Sequence, residues 1–397
     1  MTAKETTEYA WAIPRMRARA AAPAIARARA RWSAIAVTSA RIRIRGRVRP
    51  KRAVAFVGSE ARDVALDGGS SDGMDDDDAP SVEIAARATH WVVERDFLPG
   101  ALARAVRGRY DDVFEDATRA RGERFCWDLW HVPKQYTLLR TPAEDFFGEE
   151  LHGALEEMLM TYARERLGCA SMTPMWMSCY VHGMRQELHA DVPHGPFAFV
   201  LSLTRESGAD GGFTFSGGET QIMRPERLNY WRNFDSSEVV ERAQIMETIS
   251  PRFNQLVVFD PRLPHGVTEV FGTQDIRDGR LVLHGWFKDP EPSFSGALSE
   301  EDAAETLETA LAELYARLVE LPRASGVVCA RIKITPSGDV DDLTWTCDTL
   351  TPIPLPELPS ETDIRDAIML DIASALLELK FPPRDGSSVI TLPFCFE

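Results

Sequence analysis

The stretch ELHADVPHGPFAFVLSLT, residues 187–204, sets His189 and Asp191 two positions apart, just ahead of an apolar run. Both residue types usually occupy exposed positions or special sites. On an extended strand alternate residues share a face, so the two side chains point the same way. A third partner lies downstream. In NQLVVFDPRLPHGVTEV (254–270), His265 falls just past a run apolar enough to be a buried strand. Two imidazoles and one carboxylate form a set that can hold a metal ion on one face. The competing reading is a capping aspartate and two surface histidines.

The surrounding texture fixes the fold class. After Cys169 come short apolar runs separated by Gly and Pro turns: MWMSCYVHG (175–183), FAFVLSLT (197–204), GGFTFSGGETQIM (211–223), QLVVFDP (255–261) and RLVLHGWF (280–287). Many short strands of this kind suggest a sandwich or barrel. Ahead of them, PGALARAVRGRYDDVFEDAT (99–118) and EELHGALEEMLMTYARERLG (149–168) carry helical spacing, with a start at Pro99 and a C-cap at Gly168. Between the helices, FCWDLWHVPKQYTLLRTP (125–142) is aromatic-rich and strand-like. Helices first and strands after imply an α+β domain rather than a wound parallel sheet.

Arg280 opens a strand fifteen residues after His265, and in regular alternation Arg280, Val282, His284 and Trp286 share its face. Arginine there can hold a carboxylate through a bidentate pair, which lysine does less well. With these residues in view, the sequence resembles the Fe(II)- and 2-oxoglutarate-dependent dioxygenases, in their prolyl-4-hydroxylase-like branch. The resemblance runs over roughly residues 90–290. It rests on His-Ala-Asp at 189–191, GGFTF and GGET between, NQLVVFDPRLPHGV around His265, and RLVLHGWF from Arg280.

That resemblance implies a double-stranded β-helix, a jelly-roll core with flanking helices. It implies His189, Asp191 and His265 as Fe(II) ligands, with no catalytic residue beyond them. Arg280 would hold the distal carboxylate of 2-oxoglutarate, helped by Tyr180. Dioxygen is then the co-reactant, succinate and CO2 are the products, and ascorbate is an accessory reductant. One departure stands out. The family commonly has a small hydroxyl residue two after the arginine, and here it is Val282, which shifts the expected anchoring toward Tyr180, Thr214 or His284. His194, an odd number of residues from His189 and past Pro193, reads as a loop residue or a partner to the ligands. Trp127, Trp130, Trp231 and Trp286 read as core or pocket walls.

The last hundred residues carry a second α+β pattern. LSEEDAAETLETALAELYARL (298–318) is a helix that Ser299 can cap. VVCARIKITPSGDVDDLTWTCD (327–348) reads as two strands around a turn at 336–338, ETDIRDAIMLDIASALLELKFP (361–382) as a helix with a stop at Pro382, and SSVITLPFCF (387–396) as a closing strand. The order resembles the C-terminal domain of TonB-type proteins. It has no evident catalytic cluster, so docking or dimerisation through a sheet edge is the expected role.

Composition bounds the rest. Residues 1–58 carry twelve Arg and two Lys against Glu5 and Glu8, a net of +12 that leaves −28 on the remainder of a chain whose total is −16. Arg-rich, acid-poor composition reads as an organelle transit peptide, chloroplast or mitochondrial. A basic arm for nucleic acid or anionic lipid, and a start at Met16, are the alternatives. Residues 59–81, with DGGSSDGMDDDDAPS, read as an acidic disordered linker. The expected layout is therefore 1–58 address or arm, 59–81 linker, 82–296 oxygenase domain and 297–397 TonB-C-like domain. Six scattered cysteines without C-x-x-C pairs argue against a disulfide scaffold or zinc ribbon. No run of 18 apolar residues offers a membrane span. The acidic body makes nucleic acid an unfavoured partner and suits a basic or neutral substrate, peptidyl or small, better than a polyanion. Two other functions remain open: a catalytically silent cupin-like metal-binding or sensor module, and a nucleic-acid-directed oxidative demethylase.

Overall fold

The computed structural model describes residues 82–85, 87–115, 127–191, 194–207, 211–228, 241–353 and 360–396. The address and linker readings of residues 1–81, and Trp231, lie outside the described residues.

The apolar spacing from Pro99 folds as α1 (Gly100–Glu115), preceded by a short strand β1 (Trp91–Glu94) that the sequence reading left unassigned. The aromatic stretch becomes a hairpin, β2 (Asp128–Val132) and β3 (Tyr136–Pro142), turning through Lys134 at φ 66°. Helix α2 (Ala143–Tyr162) starts earlier than its apolar spacing indicates and is broken at Gly148, whose φ of 72° only glycine adopts readily. A wide turn over Ala163–Leu167 then ends at Gly168 in the left-handed conformation, the cap expected there.

Next come β4 (Cys169–Met172), β5 (Trp176–Tyr180), β6 (Arg185–His189), β7 (Phe197–Ser202) and β8 (Thr220–Met223). Two one-turn helices, α3 (Pro225–Leu228) and α4 (Arg242–Ile245), precede β9 (Met246–Ile249), β10 (Gln255–Phe259), β11 (His265–Val267) and the long β12 (Arg280–Pro290). From β5 to β12 the strands fall into two layers, crossing between them at every step but β8 to β9. One orders β10-β7-β12-β5 and is extended by β1 and β3; the other orders β6-β11-β8-β9. Their pairings are antiparallel. This is the rolled, double-stranded β-helix arrangement expected of the domain.

The alternation along β5 and β12 decides which face does what. Met177, Cys179, Leu281 and Leu283 point outward and bury Tyr110, Phe146, Leu155 and Leu159 of α1 and α2. Ser178, Tyr180, Arg280, Val282 and His284 point inward and line a cavity of about 600 Å³ between the layers. Burying large apolar side chains at about 25 cal/mol per Å² holds the helices on the outer face. The inner face is left free for polar work.

The second unit is built on β13 (Ser293–Gly296), α5 (Glu300–Leu318), β14 (Ala324–Ile334), β15 (Val340–Asp348), β16 (Thr351–Pro352), α6 (Glu361–Leu377) and β17 (Ser388–Phe396). The sheet order is β13-β17-β14-β15, with β16 on the end of β14. Both helices open with a capping box, at Ser299 with Asp302 and at Ser360 with Asp363. Strand β13 lies before residue 297 yet pairs with β17, and Val82 and Ile84 pack in this second core.

Polar ties join the units. Asp260, just after β10, accepts from His90 and from Arg262, and Arg262 reaches on to the Thr349 carbonyl at 3.2 Å. Arg365 of α6 pairs with Asp348 and donates to the Ala85 carbonyl at 2.9 Å. The five described cysteines are free thiols. Among the described residues no helix is long and apolar enough to cross a membrane.

Candidate metal and cosubstrate site

Antiparallel pairing of β6 with β11 puts His189 and His265 in register, and the turn after β6 brings Asp191 beside them. One ligand atom from each lies within 4.8 Å of the others. The Asp191 carboxylate stands 3.1 Å from His265 Nε2 and 3.5 Å from His189 Nε2. The backbone fixes this geometry, because the Asp191 N–H donates to the Pro261 carbonyl at 3.0 Å.

The tautomers follow from the hydrogen bonds. His189 Nδ1 lies 2.9 Å from the Glu187 carbonyl, and His265 Nδ1 lies 2.9 Å from the Leu263 carbonyl. A carbonyl only accepts, so each Nδ1 carries the proton and each neutral ring turns its Nε2 lone pair inward. Two lone pairs and a carboxylate then converge, an arrangement that could hold a cation. Burial and the nearby His265 lower the His189 pKa, favouring the neutral ligand form. The donor set fits Fe(II), with one face left open.

Arg280 lies deeper in the same cavity and is only 1% exposed. Its Nη2 donates to Thr220 Oγ1 at 3.0 Å, and its guanidinium carbon sits 4.8 Å from the Tyr180 ring centre. Its Nε is buried without a hydrogen-bond partner, and no carboxylate lies within ion-pair distance among the described residues. Buried charges are normally paired. A buried guanidinium without a counter-ion among the described residues, behind a cation site, fits the distal carboxylate of 2-oxoglutarate. Tyr180 donates to Gln186 Oε1 at 3.2 Å, and Gln186 Nε2 lies 3.1 Å from His189 Nε2, so one side chain links anchor and ligand.

All six residues singled out for the site, His189, Asp191, His265, Arg280, Tyr180 and His284, line this one cavity. His284 Nε2 lies 2.8 Å from Ser178 Oγ, and burial, with Arg140 and Arg280 nearby, lowers its pKa to about 3. It is neutral at ordinary pH. His194 also lines the cavity, 4.6 Å from the Trp286 ring. Thr214 does not take part: its hydroxyl donates to the Asp278 carbonyl on the exposed side. Thr220 supplies the hydroxyl instead. Gly217 and Gly218, both at positive φ, lie between the two threonines, ahead of the strand that begins at Thr220. Val282 faces the cavity, and its cross-strand neighbour Ser178 offers a hydroxyl in the same row.

Arg140 was missed. It projects from β3 into the cavity, 3.7 Å from the Trp176 ring centre and 4.3 Å from that of Trp130. The signal was the density of aromatic residues at 127–136, which alone does not say what they surround.

Residues 175–288 match the family model described as the 2OG-Fe(II) oxygenase superfamily. No curated protein matches the chain by sequence. Among solved structures, a Pseudomonas putida prolyl-4-hydroxylase is 17% identical at a TM-score of 0.35, covering 50% of this chain and 92% of its own. A Trichoplax adhaerens prolyl hydroxylase in complex with a hypoxia inducible factor peptide fragment is 16% identical at 0.37, covering 50% and 84%. A viral collagen prolyl hydroxylase from Paramecium Bursaria Chlorella virus-1, in its 2OG complex, is 12% identical at 0.31, covering 50% and 94%. The matched segment contains the whole triad and Arg280. The unit built on it is a 2OG-Fe(II) oxygenase superfamily enzyme, with Fe(II) and 2-oxoglutarate as its cofactors.

Proposed function

We propose that the enzyme hydroxylates a peptidyl or small-molecule substrate, coupled to oxidation of 2-oxoglutarate to succinate and CO2. The observation that carries this is the convergence of two Nε2 lone pairs and the Asp191 carboxylate in front of the Arg280 guanidinium, which has no counter-ion among the described residues. His189, Asp191 and His265 hold the metal, which when bound activates dioxygen with electrons from the keto acid. The chain's own groups orient and exclude. Arg280, with Thr220 and Tyr180 beside it, fixes the far end of the cosubstrate by charge and hydrogen bonds. Neutral His284 adds a polar wall without adding charge. Phe259, Val200 and Trp286 keep bulk water from the reacting end.

The test is an anaerobic titration of metal-free protein with Fe(II) and 2-oxoglutarate, read by the visible metal-to-ligand charge-transfer band. The wild type gives the band. Asp191→Ala folds but gives none, and turnover drops by about 10³-fold or more, as for loss of a metal's chemistry. Arg280→Ala gives the band only at far higher 2-oxoglutarate. A folded wild type without the band would sink the reading.

The same proposal extends to the flanking parts. The hairpin–helix–strand order of β14, β15, α6 and β17 supports a TonB-C-like docking or dimerisation role for the second unit. The +12 charge of residues 1–58 supports an organelle address. Mass spectrometry of the mature N-terminus checks the latter: retention of residues 11–58 would instead favour the basic arm.

A further inference from the structure

The cavity holds more positive charge than the metal and cosubstrate account for. Arg280 is taken by the distal carboxylate of 2-oxoglutarate in the reading above. Asp191 belongs to the metal. Glu187, the other acid on the cavity wall, receives Arg185 Nε at 2.7 Å. Arg140 and Lys134 remain, and among the described residues neither side chain forms an ion pair.

Arg140 is the more telling of the two. Its guanidinium rests against two indoles, which hold it by cation–π attraction but make no hydrogen bonds in its plane. Its Nε is buried and has no hydrogen-bond partner. Asp128, directly across on β2, could have neutralised it, yet forms no ion pair with it and stays exposed. An arginine held against two indoles, with its Nε unpartnered and no ion pair, is set for a planar anion.

It also stands on a different strand from the cosubstrate anchor. Arg140 is in register with Ser178 on β5, and Arg280 with Tyr180 on the far side of the same strand. Two strand spacings, roughly 10 Å, separate their backbones. Trp130 and Lys134 on the β2–β3 hairpin stand at the same wall.

We propose that Arg140 binds a carboxylate of the substrate that is oxidised, so that the enzyme acts on an organic acid whose apolar body lies along Trp130 and Leu138. This deepens the functional reading above and rests on it. It also reverses, locally, the expectation drawn from overall charge: the body is acidic, but this wall of the cavity is not.

The test uses the full chain, loaded anaerobically with Fe(II) and saturating 2-oxoglutarate, with benzoate as the acid probe and benzamide as its neutral match. Calorimetry reads affinity, and the charge-transfer band reads cosubstrate binding. Benzoate is expected to bind about tenfold or more tighter than benzamide, the scale of a charge-assisted pair. Arg140→Met abolishes the preference, Arg140→Lys keeps part of it, and the 2-oxoglutarate requirement stays unchanged in both. Equal binding of the two probes by the wild type overturns the subsite, as does a preference that survives in Arg140→Met. A raised 2-oxoglutarate requirement in Arg140→Met also overturns it, making Arg140 a cosubstrate anchor. Absence of the band in the wild type refutes the oxygenase reading separately, and the benzoate comparison is scored either way.

Discussion

Two arginines of nearly equal burial show how the halves of the molecule differ. Arg365 in the second unit is 3% exposed and Arg280 in the first is 1% exposed. Arg365 is fully engaged: it pairs with Asp348 and Asp366 and donates to the Ala85 carbonyl. Arg280 has only neutral partners, Thr220 and Tyr180, and an orphaned Nε. A buried charge whose hydrogen bonds are all made is architecture; one left short of partners marks a place where something else must bind. The same contrast sets the cavity wall, where Arg140 forms no ion pair among the described residues, against the second unit, where buried Arg365 and Asp348 satisfy one another.

The sharpest way to break this comparison is to exchange each arginine for methionine. Arg365→Met strands Asp348 and should cost about 3–5 kcal/mol of stability in urea unfolding, with 2-oxoglutarate binding unaffected in the folded fraction. Arg280→Met removes a charge that lacks a counter-ion and should leave stability unchanged or higher, while costing about 2–5 kcal/mol of 2-oxoglutarate binding. If both variants lose stability alike, the distinction fails.

A smaller effect sharpens it through pH. His284 has a folded pKa of about 3 against an ordinary 6.5, because burial and the cations nearby oppose its protonated form. Between those values the unfolded chain binds a proton that the folded chain does not. Stability therefore rises with pH from about 3 to 6.5 and is flat above, so far as this group is concerned. Denaturation midpoints measured across that window should climb less steeply in His284→Gln, which retains a partner for Ser178. Smallest of all, Ser299→Ala loses the cap of α5 and should cost about 1 kcal/mol by thermal unfolding, without changing cosubstrate affinity.

Part of the site was legible because strand alternation is a strict rule. Arg280 and His284 share a face of β12 by period-two counting, whereas Asp191 lies past the end of β6 and His265 on a separate strand, so their grouping rested on the family resemblance and chain order. Counting failed where the backbone broke step. The paired glycines at 217 and 218 sit between Thr214, which was named, and Thr220, which bonds Arg280. Arg140 escaped for a different reason. Its meaning depends on Trp130 and Trp176, which are brought to it by two separate strand pairings. Likewise β13 reads as the tail of the first unit, and only its long-range pairing with β17 shows where it packs. In the second unit, Ser299, the turn at 336–338 and the closing strand were readable because caps and turns are local.

The link from Asp260 through Arg262 to Thr349 has a consequence for how the molecule comes apart. The turn it braces also supplies the Pro261 carbonyl to Asp191 and the Leu263 carbonyl to His265. Val82 and Ile84, at the front of the described chain, are buried in the rear core. The two sheets therefore share both ends of the fold and the brace of the ligand turn. Heating should produce one cooperative transition rather than two, with signals from both sheets lost together.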